Sequence, residues 1–156
     1  MNGLWIVFLL VVLGGAIKVA TDVRNEKFAR NPAAVAEAIS ATNRFAEQSL
    51  KPGENLLLSD YSHQMNAYVL ITDQGIYYKQ SGRNSDHLFS TTYHDIIKCE
   101  FKDASLSKCR SDQQVASIHI KAQRGKCVLM TFPKIKEMAA ELARQGFEKK
   151  SMFSGH

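Results

Sequence analysis

Residues 3–17 read GLWIVFLLVVLGGAI, a run without one charged or strongly polar side chain in a chain that is 22% charged. As a helix this run spans roughly 22 Å, at about 1.5 Å per residue. Extended to Ala20 it covers about 27 Å, close to the ~30 Å hydrocarbon core of a bilayer. Lys18 interrupts the extension, but a lysine near a helix end snorkels to the headgroups. Trp5 sits where an interfacial aromatic sits. Residues 1–20 therefore read as a transmembrane anchor. Its apolar residues are Leu4, Trp5, Ile6, Val7, Phe8, Leu9, Leu10, Val11, Val12, Leu13 and Ile17.

Other readings of the run stay open. A secretory signal needs a basic start, and Met1-Asn2-Gly3 has none, although Gly14-Gly15-Ala16 is a weak cleavage site. Cleavage there would leave an exported envelope protein. A buried core helix is a third reading, because short apolar runs are ambiguous. Lys18, Arg24, Lys27 and Arg30 follow the run, and nothing but the α-amino group precedes it. By the positive-inside rule the N-terminus lies outside and the bulk lies in the cytoplasm, on an inner membrane crossed once. Cys99, Cys109 and Cys127 are odd in number and loosely spaced, which suits free thiols in a reducing compartment.

The remaining length fits one domain and a connector. Residues 21–50 read as a juxtamembrane and connector helix, with Asn31 as N-cap and Pro32 in the first turn. Val35, Ile39, Thr42, Ala46 and Leu50 recur at helical spacing, and Lys51-Pro52-Gly53-Glu54 ends the helix. From Leu56 the period drops to about 2. Strands are expected at 56–58, 65–72, 76–79, 87–90, 93–102, 115–122 and 126–132, with turns at Asp73-Gln74-Gly75 and Gln123-Arg124-Gly125. Pro133 opens a last helix with an apolar stripe of Ile135, Met138, Ala139 and Leu142, and Gly146 stops it. Residues 148–156 read as a flexible tail. Strands in a run followed by a helix indicate an antiparallel α+β domain.

Three stretches carry a resemblance: 50–57 (LKPGENLL), 68–78 (YVLITDQGIYY) and 93–101 (YHDIIKCEF). They resemble bacterial pleckstrin-homology-like domains over roughly residues 50–146. The resemblance implies an antiparallel β-roll or barrel of about seven strands, plugged at one end by a C-terminal helix, over residues 51–147. It also implies a role as a binding or scaffolding module. Asp73-Gln74-Gly75 is acidic and tight, with no lysine-x-arginine pattern, so phosphoinositide recognition is not implied.

No motif announces catalysis. The chain has no Gly-rich phosphate loop, no G-x-S-x-G, no H-E-x-x-H and no C-x-x-C. No cofactor or metal is expected, since closed zinc sites show tight ligand pairs that His63, His87, His94, His119 and the cysteines do not form. A cysteine–histidine nucleophile, Cys99 with His94 or His119, is the enzymatic alternative. Tyr77, Tyr78, Phe89 and Tyr93 read as cross-strand packing or as a ligand groove.

Charge points elsewhere. Residues 121–136 hold Lys121, Arg124, Lys126, Lys134 and Lys136 and no acid, and the first three would gather at one hairpin tip. Near an anionic surface each basic residue contributes about 1 kcal/mol of attraction. The net charge of +5 is modest and the stretch lacks interleaved aromatics, which speaks against nucleic acid. The expectation is a membrane-tethered, non-enzymatic module that binds a protein partner or an anionic lipid surface through these five residues.

Overall fold

The computed structural model describes residues 24, 26–103 and 115–147. The chain divides into two units, Met1–Ile39 and Ser40–His156. In the first, residues 26–29 are helical, and exposed Glu26 and Arg30 pair at 3.6 Å. Helix α1, Pro32–Ser49, then begins where the sequence sets it. The Asn31 side chain accepts the Ala34 N–H at 3.3 Å, and proline takes the position that needs no donor.

The second unit holds the rest of α1 and all strands. Helix α1 ends in a turn in which the Glu54 N–H bonds to the Lys51 carbonyl at 3.1 Å. Pro52 sets the first corner, and Gly53 takes the second at φ 81°, a value that a side chain strains to reach. Four strands follow in a meander: β1 (Leu56–Ser62), β2 (Ala67–Thr72), β3 (Gly75–Gln80) and β4 (His87–Thr92). A 3-10 turn at Tyr93–Asp95 leads to a second meander of β5 (Ile96–Asp103), β6 (Val115–Ala122) and β7 (Gly125–Met130). Helix α2, Ile135–Arg144, closes the fold.

Strand alternation builds the core. Ala67, Val69 and Ile71 of β2 face Ile118, Ile120, Cys127 and Leu129 of the second sheet, and Met138 and Leu142 of α2 complete the cluster. Leu70 points to the opposite side of β2 and is also fully buried. Phe45 of α1 packs on Tyr68, its neighbour on that side, with ring centroids 6.2 Å apart. Thr42 and Ala46 of α1 are buried as well. Strand β2 is thus covered on both faces.

Three expectations are corrected. The seven strands do not close a roll or barrel: they form separate sheets of four and three. Closure would need ladders from β4 to β5 and from β7 to β1. Between β4 and β5 the 3-10 turn breaks the ladder, pinned by the Tyr93 N–H to the Gln74 carbonyl at 3.2 Å and the Tyr93 hydroxyl to the Thr72 carbonyl at 2.6 Å. Beyond β7, side chains reach β1 in place of a ladder. Ser62 meets Thr131 at 2.6 Å, and Asp60 accepts the Lys134 N–H at 2.7 Å. The strand expected over 93–102 accordingly starts three residues later.

The membrane reading is corrected too. Among the described residues no helix is long and apolar enough to cross a membrane. The anchor residues, 4–13 and Ile17, lie outside the described residues, as does the tail 148–156. The single-pass inner-membrane location, its orientation and the integral-membrane partner therefore have no described span to rest on. The third correction concerns β1, which runs four residues past its expected end because its ladder with β2 continues to Ser62 opposite Ala67.

Candidate functional site

The outer face of the second sheet follows from its register. Lys98 lies opposite Lys121, and Lys121 lies opposite Lys126. Directly opposite residues project to the same side, so three lysines form one row across three strands. The next row is Glu100, His119 and Val128, and the one after it Lys102, Ser117 and Met130. The inner rows, Cys99–Ile120–Cys127 and Phe101–Ile118–Leu129, pack into the core.

A β-bulge sets this arrangement. The pairing shifts by one residue between Ile96 and Lys98, leaving Ile97 as the extra residue, 62% exposed. Without the shift Lys98 would pair with Ile120 and turn inward. Arg124 sits in the β6–β7 turn and lines the cleft beside β4.

Lys98 pairs with Glu100 at 2.6 Å, and that hydrogen bond holds the Glu100 carboxyl below its ordinary range. His119 is pushed down, first by burial and then by the Lys102 charge, while Glu100 opposes both. Its ring nitrogen lies 3.2 Å from the Ser117 hydroxyl. The face is therefore cationic along one row and mixed beyond it. Met130, 37% exposed, and half-buried Val128 supply apolar surface.

Of the five basic residues marked in the sequence, the fold brings Lys121, Arg124 and Lys126 together. Lys134 and Lys136 follow the far end of β7, about 20 Å from the tip at ~3.3 Å per residue. Lys134 is engaged there: its N–H bonds Asp60 and its ammonium reaches the Ser59 carbonyl at 3.2 Å. Lys98 and Lys102 were missed because only the β5–β6 register reveals them.

A polar cleft of about 420 Å³ adjoins the same hairpin, lined by Lys51, Tyr77, Ser90, Thr92, Asp95 and Arg124 among others. Its wall is a fixed network. Glu54 accepts the Thr72 hydroxyl at 2.5 Å, the Tyr77 hydroxyl at 2.8 Å and the Lys51 N–H at 3.0 Å. Burial raises the Glu54 carboxyl, but these bonds and the Lys51 charge outweigh it and leave it lowered. Tyr77 is pushed up to about 12, by burial first and then by Glu54. Gly75 has no room for a side chain, since a Cβ would stand 2.1 Å from the Thr91 carbonyl oxygen. The aromatics divide: Tyr78 and Phe89 are cross-strand partners in the core, Tyr77 holds Glu54, and Tyr93 holds the Thr72 carbonyl.

The cysteine–histidine pairing is not formed by Cys99 and His119, which project from opposite faces of one sheet. Burial pushes the Cys99 thiol up to about 11 and the Cys127 thiol up to about 12. Cys109 lies outside the described residues. Among the described residues no three His, Cys, Asp or Glu side chains gather as a metal site would require.

No family model and no curated protein matches the chain. Among solved structures it is similar to the C-terminal domain of an unknown protein from Leishmania infantum, with a TM-score of 0.47 at 20% identity. The alignment covers 69% of this chain and 96% of that domain. A likeness at that level assigns neither family nor function.

Proposed function

We propose that the chain is a non-enzymatic binding module that docks an acidic segment of a protein partner on the outer face of its second sheet. The observation that carries this reading is the row Lys98–Lys121–Lys126, in which one lysine stands opposite two others. Like charges directly opposite in a sheet cost stability, roughly 0.2–1 kcal/mol per pair. Glu100 already meets Lys98 at 2.6 Å, so a bound carboxylate relieves chiefly the Lys121–Lys126 repulsion, and that pair favours an anionic partner. Val128 and Met130 offer apolar contact beside the charges, as protein interfaces do. The role of binding module is what the resemblance to pleckstrin-homology-like domains implies.

The test is the affinity of the full-length chain for polyglutamate and, separately, for phosphatidylglycerol vesicles. Polyglutamate is expected to bind in a salt-dependent way. Changing Lys98, Lys121 and Lys126 together to glutamate should weaken it by about tenfold or more, the equivalent of ~1.4 kcal/mol. Unchanged affinity in that variant, or binding to the vesicles alone, contradicts the proposal.

A further inference from the structure

The two sheets leave four edge strands, β1, β4, β5 and β7. An exposed edge presents unpaired N–H and C=O groups, and proteins blunt such edges with bulges, lysines, prolines or covering side chains. Three of the four are blunted. Strand β1 carries a bulge at Leu57 and is held by Lys134. Strand β5 carries register shifts at Ile97 and next to Asp103, together with Lys98 and Lys102. Strand β7 carries Lys126 and runs into Thr131, which is bonded to Ser62.

Strand β4 has no bulge, lysine or proline, and β7 approaches it where the Phe89 ring lies beside Gly125. Strand β4 reads HLFSTT and pairs with β3 through six residues without a shift. Leu88 is 65% exposed. The Tyr93 N–H bonds to the Gln74 carbonyl, which fixes the phase of the ladder. Antiparallel pairs alternate, so His87, Phe89 and Thr91 direct their backbone groups to β3. Leu88, Ser90 and Thr92 direct theirs to the open edge. Among the described residues no backbone group bonds to these three, and the Thr92 carbonyl is met only by the Thr91 hydroxyl at 3.1 Å.

This edge borders the polar cleft through Ser90, Thr91 and Thr92, and the exposed cations Lys51 and Arg124 share the cleft with it. The acids of the cleft are less available. Glu54 is taken up by three donors, and Asp95 is half-buried.

We propose that β4 takes up an extended acidic peptide as an added strand, with its carboxylates at Lys51 and Arg124. The inference rests on the reading of the chain as a module for acidic protein segments, and it adds a second contact for them, at the β4 edge. Backbone hydrogen bonds along Leu88–Ser90–Thr92 hold the peptide, and the cations select its charge. A second copy of the chain fits worse, because it brings its own Lys51 and Arg124 and a net charge of +5.

The test titrates the full-length chain with a pool of octapeptides carrying glutamate at every second position and varied apolar residues between. A second pool is identical but N-methylated at every second backbone nitrogen. The first pool is expected to bind, and the methylated pool to bind about tenfold weaker or less. Ser90→Pro removes an outward N–H while sparing the ladder to β3, and should weaken the first pool by a similar factor. In the variant with Lys98, Lys121 and Lys126 changed to glutamate the first pool should still bind about tenfold tighter than the methylated pool, which separates this edge from the outer face of the second sheet. Equal binding of both pools, no binding, or a dimer of the chain that Ser90→Pro dissolves overturns the proposal. The peptide comparison uses the unaltered chain and stands even if Ser90→Pro misfolds.

Discussion

Strands β2 and β6 are both central strands, yet they are buried differently. In β2 every residue but Tyr68 is buried, on both faces. In β6 the inner residues Ile118 and Ile120 are buried, while the outer ones grade from buried Ser117 through half-buried His119 to exposed Lys121. The first sheet has a helix over its outer face, and the second has none among the described residues. The sequence of each strand answers that difference. Strand β2 is nearly all apolar, AYVLIT, as a doubly covered strand must be, whereas β6 alternates. The outer face of β2 is packed under a helix, and the outer face of β6 opens to solvent toward Lys121.

The comparison breaks if the two outer faces respond alike to truncation. Leu70→Ala, on the covered face, should cost about 2–5 kcal/mol, read as a loss in urea unfolding free energy. Val128→Ala, on the open face, should cost roughly 1 kcal/mol or less. Equal losses would mean that the second sheet is covered after all.

A smaller effect sharpens the account of the scaffold's polar corner. Glu54→Ala removes the acceptor of Tyr77, Thr72 and the Lys51 N–H, and should cost about 1–2 kcal/mol. The Glu54 carboxyl sits below 4.5 in the fold, so its contribution is full above pH 4.5 and is lost as pH falls through the folded value. Tyr77 is raised from 10.0 to about 12, so its contribution is full below pH 10 and fades between there and about 12. Stability measured against pH should show both limbs in the parent chain. The variant should lose this acid component, and its alkaline decline, which still begins near pH 10, should be smaller and end at a lower pH; identical profiles would remove Glu54 from the account.

The smallest effect has an unusual sign. Lys121→Glu places an acid opposite Lys98 and Lys126, so it should raise stability by about 0.2–1 kcal/mol while weakening polyglutamate binding. A rise in the thermal midpoint with loss of binding means that the row is kept at a cost in stability. A fall in the midpoint would show that the lysines do not repel as their register implies.

Much of this fold is legible in the sequence because its signals are local. The alternation over Val115–Ala122, the turns at Asp73-Gln74 and Gln123-Arg124, and the Asn31-Pro32 start of a helix each lie within a few residues. What stayed hidden depends on distant pairing. The contacts of β1 with Thr131 and Lys134 join positions some seventy residues apart. The lysine row depends on a bulge at Ile97, where one extra residue decides whether Lys98 faces the solvent or the core. The acid-free run 121–136 therefore marked a real cluster at Lys121, Arg124 and Lys126. It also included Lys134 and Lys136, because a run along the sequence ignores the length of β7.

The most direct measurement is a map of backbone amide shifts in the full-length, isotope-labelled chain as polyglutamate is added. The largest shifts should fall at Lys98, Glu100, His119, Lys121 and Lys126, while Val69 to Ile71 of β2 stay still. An absence of shifts at the lysine row, with any shifts confined to the first sheet, would contradict the claim that the open face of the second sheet binds the acidic chain.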